Sequence, residues 1–262
     1  MLAEWWSYLA TRCSPEARRM GYLRESIAIR ARYRRCRHAW APHLAKTRQA
    51  LAASLERCRQ RRTALVLGSG LLLDVPLAEL AASFEEVWLV DMVHLPAARR
   101  EAARYPNARC IEWDVTECAA ALLDGKGRDA LAEGTPSAFL REDRVDWVGS
   151  VNLLSQLPLL PLAWLGEPPS STHPLAVAMM RRHLDYLSRF RAVVCLVADA
   201  EQRWGNREEA MEGADLDPLL GLSAHAFDQW WWELAPPGEA GHGHAIRHRV
   251  LACHWPSGIA AP

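Results

Sequence analysis

Short apolar runs separated by more polar stretches of helical length set the rhythm of residues 63–116. Ala64-Leu65-Val66-Leu67, Val87-Trp88-Leu89-Val90 and Arg109-Cys110-Ile111-Glu112-Trp113 each have the length of a strand. The first ends in Gly68-Ser69-Gly70, the second on Asp91 and the third on Asp114. Strand and helix in alternation predict a parallel sheet, and each strand delivers a glycine or an acid at its carboxyl end, where open α/β sheets bind ligands. Val145 to Asn152 predicts a fourth strand and Ala192 to Val197 a fifth. Five prolines between 158 and 174 predict a loop over the same end of the sheet, followed by a helix over 175–190. Trp230 to Leu234 and Ala245 to Trp255, parted by Pro236-Pro237-Gly238, predict a terminal β-hairpin.

Ahead of Thr63 the period changes to that of helices. Residues 2–12 fit a short helix, and Ser14-Pro15-Glu16 is a start signal, with Ser14 as N-cap and Pro15 at the first helical position. Tyr22, Ile29, Tyr33, Cys36 and Trp40 form one apolar stripe. Pro42 predicts an end or a kink, and Leu44, Leu51, Leu55 and Cys58 a second helix running to about Gln60. Residues 1–62 are therefore expected as a helical cap and 63–262 as the α/β domain. The pattern fits a lid over the ligand end of the sheet and equally a layer on its edge.

With half of its 262 residues hydrophobic and 24% charged, the chain should bury a sizeable core. Seven cysteines without a C-x-x-C pair point to free thiols and a reducing, cytoplasmic setting. Met1-Leu2-Ala3-Glu4 does not open a signal peptide, and the apolar stretch 151–165 is too short and broken to span a bilayer. Net charge is zero but lopsided: 15 Lys/Arg against 4 Asp/Glu through Arg62, the reverse excess after it. That basic cap meets either the acidic body or an anion.

A dinucleotide fingerprint would need a third glycine at position 73, which is Leu73. Asp91 can accept two ribose hydroxyls, whereas Asp114 is an acid that a nicotinamide site does not require. Val66-Leu67-Gly68-Ser69-Gly70, Leu89-Val90-Asp91, Glu112-Trp113-Asp114-Val115 and Val145-Asp146-Trp147-Val148 with Ser150 resemble class I S-adenosylmethionine-dependent methyltransferases over residues 63–255. The resemblance implies a Rossmann-like, open, mostly parallel seven-stranded sheet with a C-terminal antiparallel hairpin, here carrying an N-terminal helical cap. It implies S-adenosylmethionine as cofactor. The glycine turn passes beneath its methionine and ribose part, Asp91 holds the ribose hydroxyls and Asp114 the adenine amino group. Ser69, Met92, Val115 and Ser150 complete the expected cofactor set. The chain departs from the family in having Val66 where an acid is usual and Leu72 where a further glycine is usual. Asp74 stands in for the missing acid or simply caps the next helix.

Methyl transfer is an in-line displacement, so an enzyme positions the acceptor and, where the acceptor carries a proton, supplies a base. Asn152 and Asp199, at the exits of strands four and five, are the expected acceptor contacts, with His38 or His43 as base; both histidines also suit a helix end. Arg30, Tyr33, Arg34 and Arg37 on the cap, with Gln156, Glu201 and Arg203, are expected to bind substrate. His242, His244 and His248 are read as a solvated turn and not a metal site. The expected acceptor is a small polar or anionic molecule. RNA methylation through the basic cap and a non-catalytic scaffold with a protein partner or a second copy are the alternatives; aminopropyl transfer is a remoter one on the same fold.

Overall fold

The structure, a computed structural model, describes residues 5, 8–133, 135–205, 212–239 and 244–258, apart from the side chains of Ala132 and Glu133. Five parallel strands form its centre: β1 (Thr63–Leu67), β2 (Glu86–Asp91), β3 (Ala108–Glu112), β4 (Val145–Val151) and β5 (Val193–Gly205). The terminal hairpin, β7 (Ala226–Ala235) and β8 (Ala245–Trp255), joins through β8, which runs antiparallel to β5. The order across the sheet is β3-β2-β1-β4-β5-β8-β7. An eighth short strand, β6 (Glu212–Asp215), pairs with the outer part of β5, which runs on past the predicted Val197.

Strands β1 and β4 are buried along their whole length, because helices cover both faces. One layer contains α5 (Ala119–Leu123), α6 (Gly127–Glu133), α7 (Leu159–Trp164), α8 (Pro174–Ser188) and α9 (Asp217–Leu220). The region 157–174, expected as a loop, thus contains α7, with Pro158 as N-cap and Pro161 in its first turn, where a missing N–H costs nothing. The other layer contains α3 (Leu77–Ser83), α4 (Pro96–Ala102) and much of the N-terminal helix.

After the short α1 (Pro15–Arg19), capped by Ser14 as predicted, a single helix α2 runs from Tyr22 to Ser54. Pro42 does not end it. The carbonyl that Pro42 cannot satisfy is offset by tertiary contacts on both sides. Trp40 donates its indole N–H to the Leu234 carbonyl at 2.9 Å, and Cys36, Trp40 and Leu44 pack on Trp232, Leu234 and Leu73. At about 1.5 Å per residue, these 33 residues extend roughly 50 Å. The first turns of α2, with Leu23 and Ile27, lie on Leu71, Met92, Val93 and Leu95 beside the glycine turn. Its last turns, with Ala50 and Leu51, pack on the sheet face. No helix among the described residues is long and apolar enough to cross a membrane.

Candidate functional site at the carboxyl ends of the strands

Where β1 ends, the backbone turns left-handed at Gly68 (φ +78°) and Gly70 (φ +48°). A Cβ at Gly68 would lie 2.9 Å from both Leu153 Cβ and the Val151 carbonyl oxygen, so only glycine fits there. Leu72, in place of the family's further glycine, also has a positive φ of 61°. The turn keeps a glycine-like conformation and carries a buried leucine side chain in it. The Gly70 N–H donates to Asp91 Oδ2 at 2.8 Å, and the Val93 N–H to Oδ1 at 3.4 Å. Burial pushes the Asp91 carboxyl up to about 6, against the pull of those backbone donors. Ser69 faces inward instead: its hydroxyl is buried, 2.9 Å from His94 Nε2.

Asp114 is committed to its own loop. Oδ1 accepts from the Thr116 N–H at 2.9 Å and its hydroxyl at 2.6 Å, and Oδ2 from the Ala119 N–H at 2.8 Å, which closes the entrance to α5. Val115 is part of the core, while Met92 is only partly buried and packs with Tyr22. Tyr22, in the sequence merely one position of an apolar stripe, stands close to the strand-end acids. Burial first, then the charges of Asp114, Cys118 and Asp91, raise its hydroxyl well above the ordinary tyrosine range.

Beyond β4, Asn152 (φ +48°) lies between the glycine loop and α2. Its Nδ2 donates to Asp74 Oδ2 at 2.7 Å and is 3.2 Å from His43 Nε2. Asp74 therefore does not cap α3, which begins at Leu77 behind Pro76 with no side-chain cap. Burial raises its carboxyl, opposed by the Asn152 bond and Arg48. His43 is fully enclosed, stacked on Trp232 at 4.0 Å, and accepts the Trp230 indole N–H on Nδ1 at 3.0 Å. Indole can only donate, so a neutral His43 has its proton on Nε2 and no free lone pair. Burial also takes its pKa to about 3. It fastens α2 to the hairpin.

Past β5, Asp199 accepts from Ser155 Oγ at 2.5 Å and from Gln202 Nε2 at 2.6 Å. Glu201 is bridged by Arg203, with Nε at 2.6 Å, and by Arg249, with Nε at 2.9 Å. Gln156 is exposed and donates to the Asn152 carbonyl at 2.6 Å. Ser150 is sealed in the other layer, 2.9 Å from His183 Nε2.

Gly68, Gly70, Asp74, Asp91, Asn152 and Asp199 are thus gathered at the strand ends. Several other expected residues are not. Arg34, Arg37 and His38 are exposed on α2, where Arg37 Nε donates to His38 Nε2 at 3.3 Å. Arg30 is half-buried near Arg34 and Arg100, and Tyr33 packs at 6.0 Å on Trp40. His242 lies outside the described residues, His244 is exposed, and no group of three His, Cys, Asp or Glu among the described residues is placed to hold a metal.

No family model matches this chain. No curated protein matches it either. Among solved structures, it is similar to the 1,6-didemethyltoxoflavin-N1-methyltransferase of Burkholderia thailandensis, which holds S-adenosylhomocysteine, with 16% identity, 92% of each chain covered and a TM-score of 0.44. It is also similar to the N-methyltransferase NodS of Bradyrhizobium japonicum, with 13% identity, 79% of this chain and 85% of that one covered and a TM-score of 0.37. CalS10, an amino pentose methyltransferase of Micromonospora echinaspora, shares 13% identity over 83% of this chain and 96% of its own, with a TM-score of 0.37. By its strand order, with β8 and the short β6 antiparallel to β5, the chain has a Rossmann-like, mostly parallel sheet.

Proposed function

We propose that this protein is an S-adenosylmethionine-dependent methyltransferase acting on a small polar molecule. The observation that carries the reading is Asp91, which stands against the Gly70 N–H at the end of β2. Burial, with a smaller push from Asp74, raises this carboxylate to about 6 despite its backbone donors, and two vicinal ribose hydroxyls would add the donors that favour its ionised form. The surroundings fit an adenosyl sulfonium. The glycine turn gives close backbone approach, Met92 and Tyr22 give partly buried walls, and Asp74 gives an acid for an ammonium group. Asp114 contributes by holding the Thr116–Ala119 loop beside the adenine end.

Bound there, the cofactor supplies an electrophilic methyl group. The chain's own residues then position and desolvate. Asn152 orients polar groups between β4 and the glycine loop, and α2 and α7 exclude water from the strand ends. Replacing Asp91 by Ala removes two charge-assisted hydrogen bonds. S-adenosylhomocysteine should then bind roughly a hundredfold more weakly, and the rise in melting temperature that it gives the wild type should vanish. Undiminished stabilisation of Asp91→Ala by the same ligand would overturn the assignment.

A further inference from the structure

Strand β5 outruns its parallel neighbour: the last β4 pair is Val151 with Val197, and Asp199 stands two residues beyond, beside the antiparallel β8. A register shift between Asp199 and Glu201 sets Asp199 opposite Val250 and Gln202 opposite His248. Asp199 and His248 meet on the α2 side of the sheet, with Nδ1 3.3 Å from Oδ2. Asp199 is only 6% exposed, and Ser155 and Gln202 fix both of its oxygens.

The contact is electrostatic, without hydrogen-bond geometry; a lone pair on Nδ1 would face the carboxylate, so the field of Asp199 favours the proton on Nδ1 and leaves the Nε2 lone pair free. None of the described residues bonds that Nε2. From the surrounding elements His248 is faced by Asp199 of β5, His43 of α2 and Trp232 of β7, the last edge-on at 6.1 Å between ring centroids. The Trp232 indole N–H is buried and has no acceptor among the described residues. A buried donor without a partner, beside a histidine with a free lone pair, is a pair of groups suited to one polar molecule.

We infer that His248, oriented by Asp199, is the proton acceptor of the methyl transfer, and that the acceptor is a small molecule with an N–H or O–H nucleophile and an oxygen for the Trp232 N–H. This rests on the methyltransferase reading above. The acceptor's lone pair forms the new bond to the methyl carbon as the carbon–sulfur bond breaks and its electron pair returns to sulfur. The acceptor's proton passes to His248 Nε2, and Asp199 stabilises the imidazolium until solvent takes the proton. His43 cannot serve, because its Nδ1 lone pair is already bonded by Trp230. Burial lowers the pKa of His248 against the opposing pull of Asp199, so the ring is neutral and able to accept near pH 7.

The first test needs neither cofactor nor acceptor. Nitrogen-15 spectra of the free, histidine-labelled protein, with His248 identified through His248→Gln, should show the Nδ1–H tautomer, and Asp199→Asn should displace both tautomer and titration. An Nε2–H tautomer in the wild type, or spectra indifferent to Asp199→Asn, would overturn the pairing. The second test measures methyl transfer from S-adenosylmethionine to a panel of small amines and phenols. His248→Gln should bind S-adenosylhomocysteine as the wild type does but turn over 10²- to 10⁴-fold more slowly, without the wild-type pH limb. Turnover equal to the wild type refutes the role of His248. A wild type that binds no S-adenosylhomocysteine refutes the methyltransferase reading instead, and the tautomer still decides the Asp199–His248 pair.

Discussion

Asp91 is held by backbone donors and at the same time partly withdrawn from solvent, and its titration should report that conflict. Its folded pKa, about 6, lies above the ordinary carboxylate value, so the folded state binds the extra proton. Its contribution to stability is therefore fully present below about pH 4 and is lost as pH rises through about 6. Hydroxyl donors need the ionised form, so ligand affinity should rise over the same interval. Denaturant titrations from pH 4 to 7 should show the falling limb in the wild type and its absence in Asp91→Asn; identical profiles would contradict this assignment. The strand-end residues were legible in the sequence because glycines and acids there follow short apolar runs. The partners of the polar groups were not. Ser69 and Ser150 read as cofactor contacts, yet each bonds a buried histidine from a distant element, His94 and His183, and no local pattern encodes such a bond.

At the scale of elements, α2 separates what periodicity can show from what packing decides. The apolar stripes on either side of Pro42 were visible, but their continuity was not, because it depends on Trp40 and His43 meeting the hairpin nearly two hundred residues later. Histidines 38 and 43 looked alike in sequence, and the fold gives them opposite situations. His43→Ala should cost about 2–4 kcal/mol in denaturant unfolding, through the cavity beneath Trp232 and the unpaired Trp230 N–H. His38→Ala, at an exposed site, should stay within about 0.5 kcal/mol. Equal effects of the two changes would show that α2 is not pinned at His43. Strand β6 and helix α7 went unseen for a related reason: four residues of sheet and one proline-led turn carry too little periodicity to stand out.

For the whole molecule, the opposed charges of the first 62 residues and the remainder are partly joined within the fold. Arg35 bonds Glu239 at 2.6 Å, Lys46 meets Asp228 at 3.3 Å, and Arg62 bonds Asp146 at 2.5 Å. The surface pairs of Arg35 and Lys46 contribute about 0–1 kcal/mol each, so they align the N-terminal helix more than they hold it; the apolar seam does that, while Arg62, beyond the helix, fastens the start of β1 to the buried Asp146. The helix thereby reaches from the sheet face to the glycine turn, where Leu23 and Ile27 pack beside the strand ends proposed to hold the cofactor. On the proposed reading these strand ends take an adenosyl sulfonium and not a dinucleotide. Parallel calorimetric titrations of the full chain with S-adenosylmethionine, S-adenosylhomocysteine and NADH address it directly. Saturable one-to-one binding of both sulfur ligands, with none of NADH, is the expected result; binding of NADH with neither sulfur ligand would contradict it.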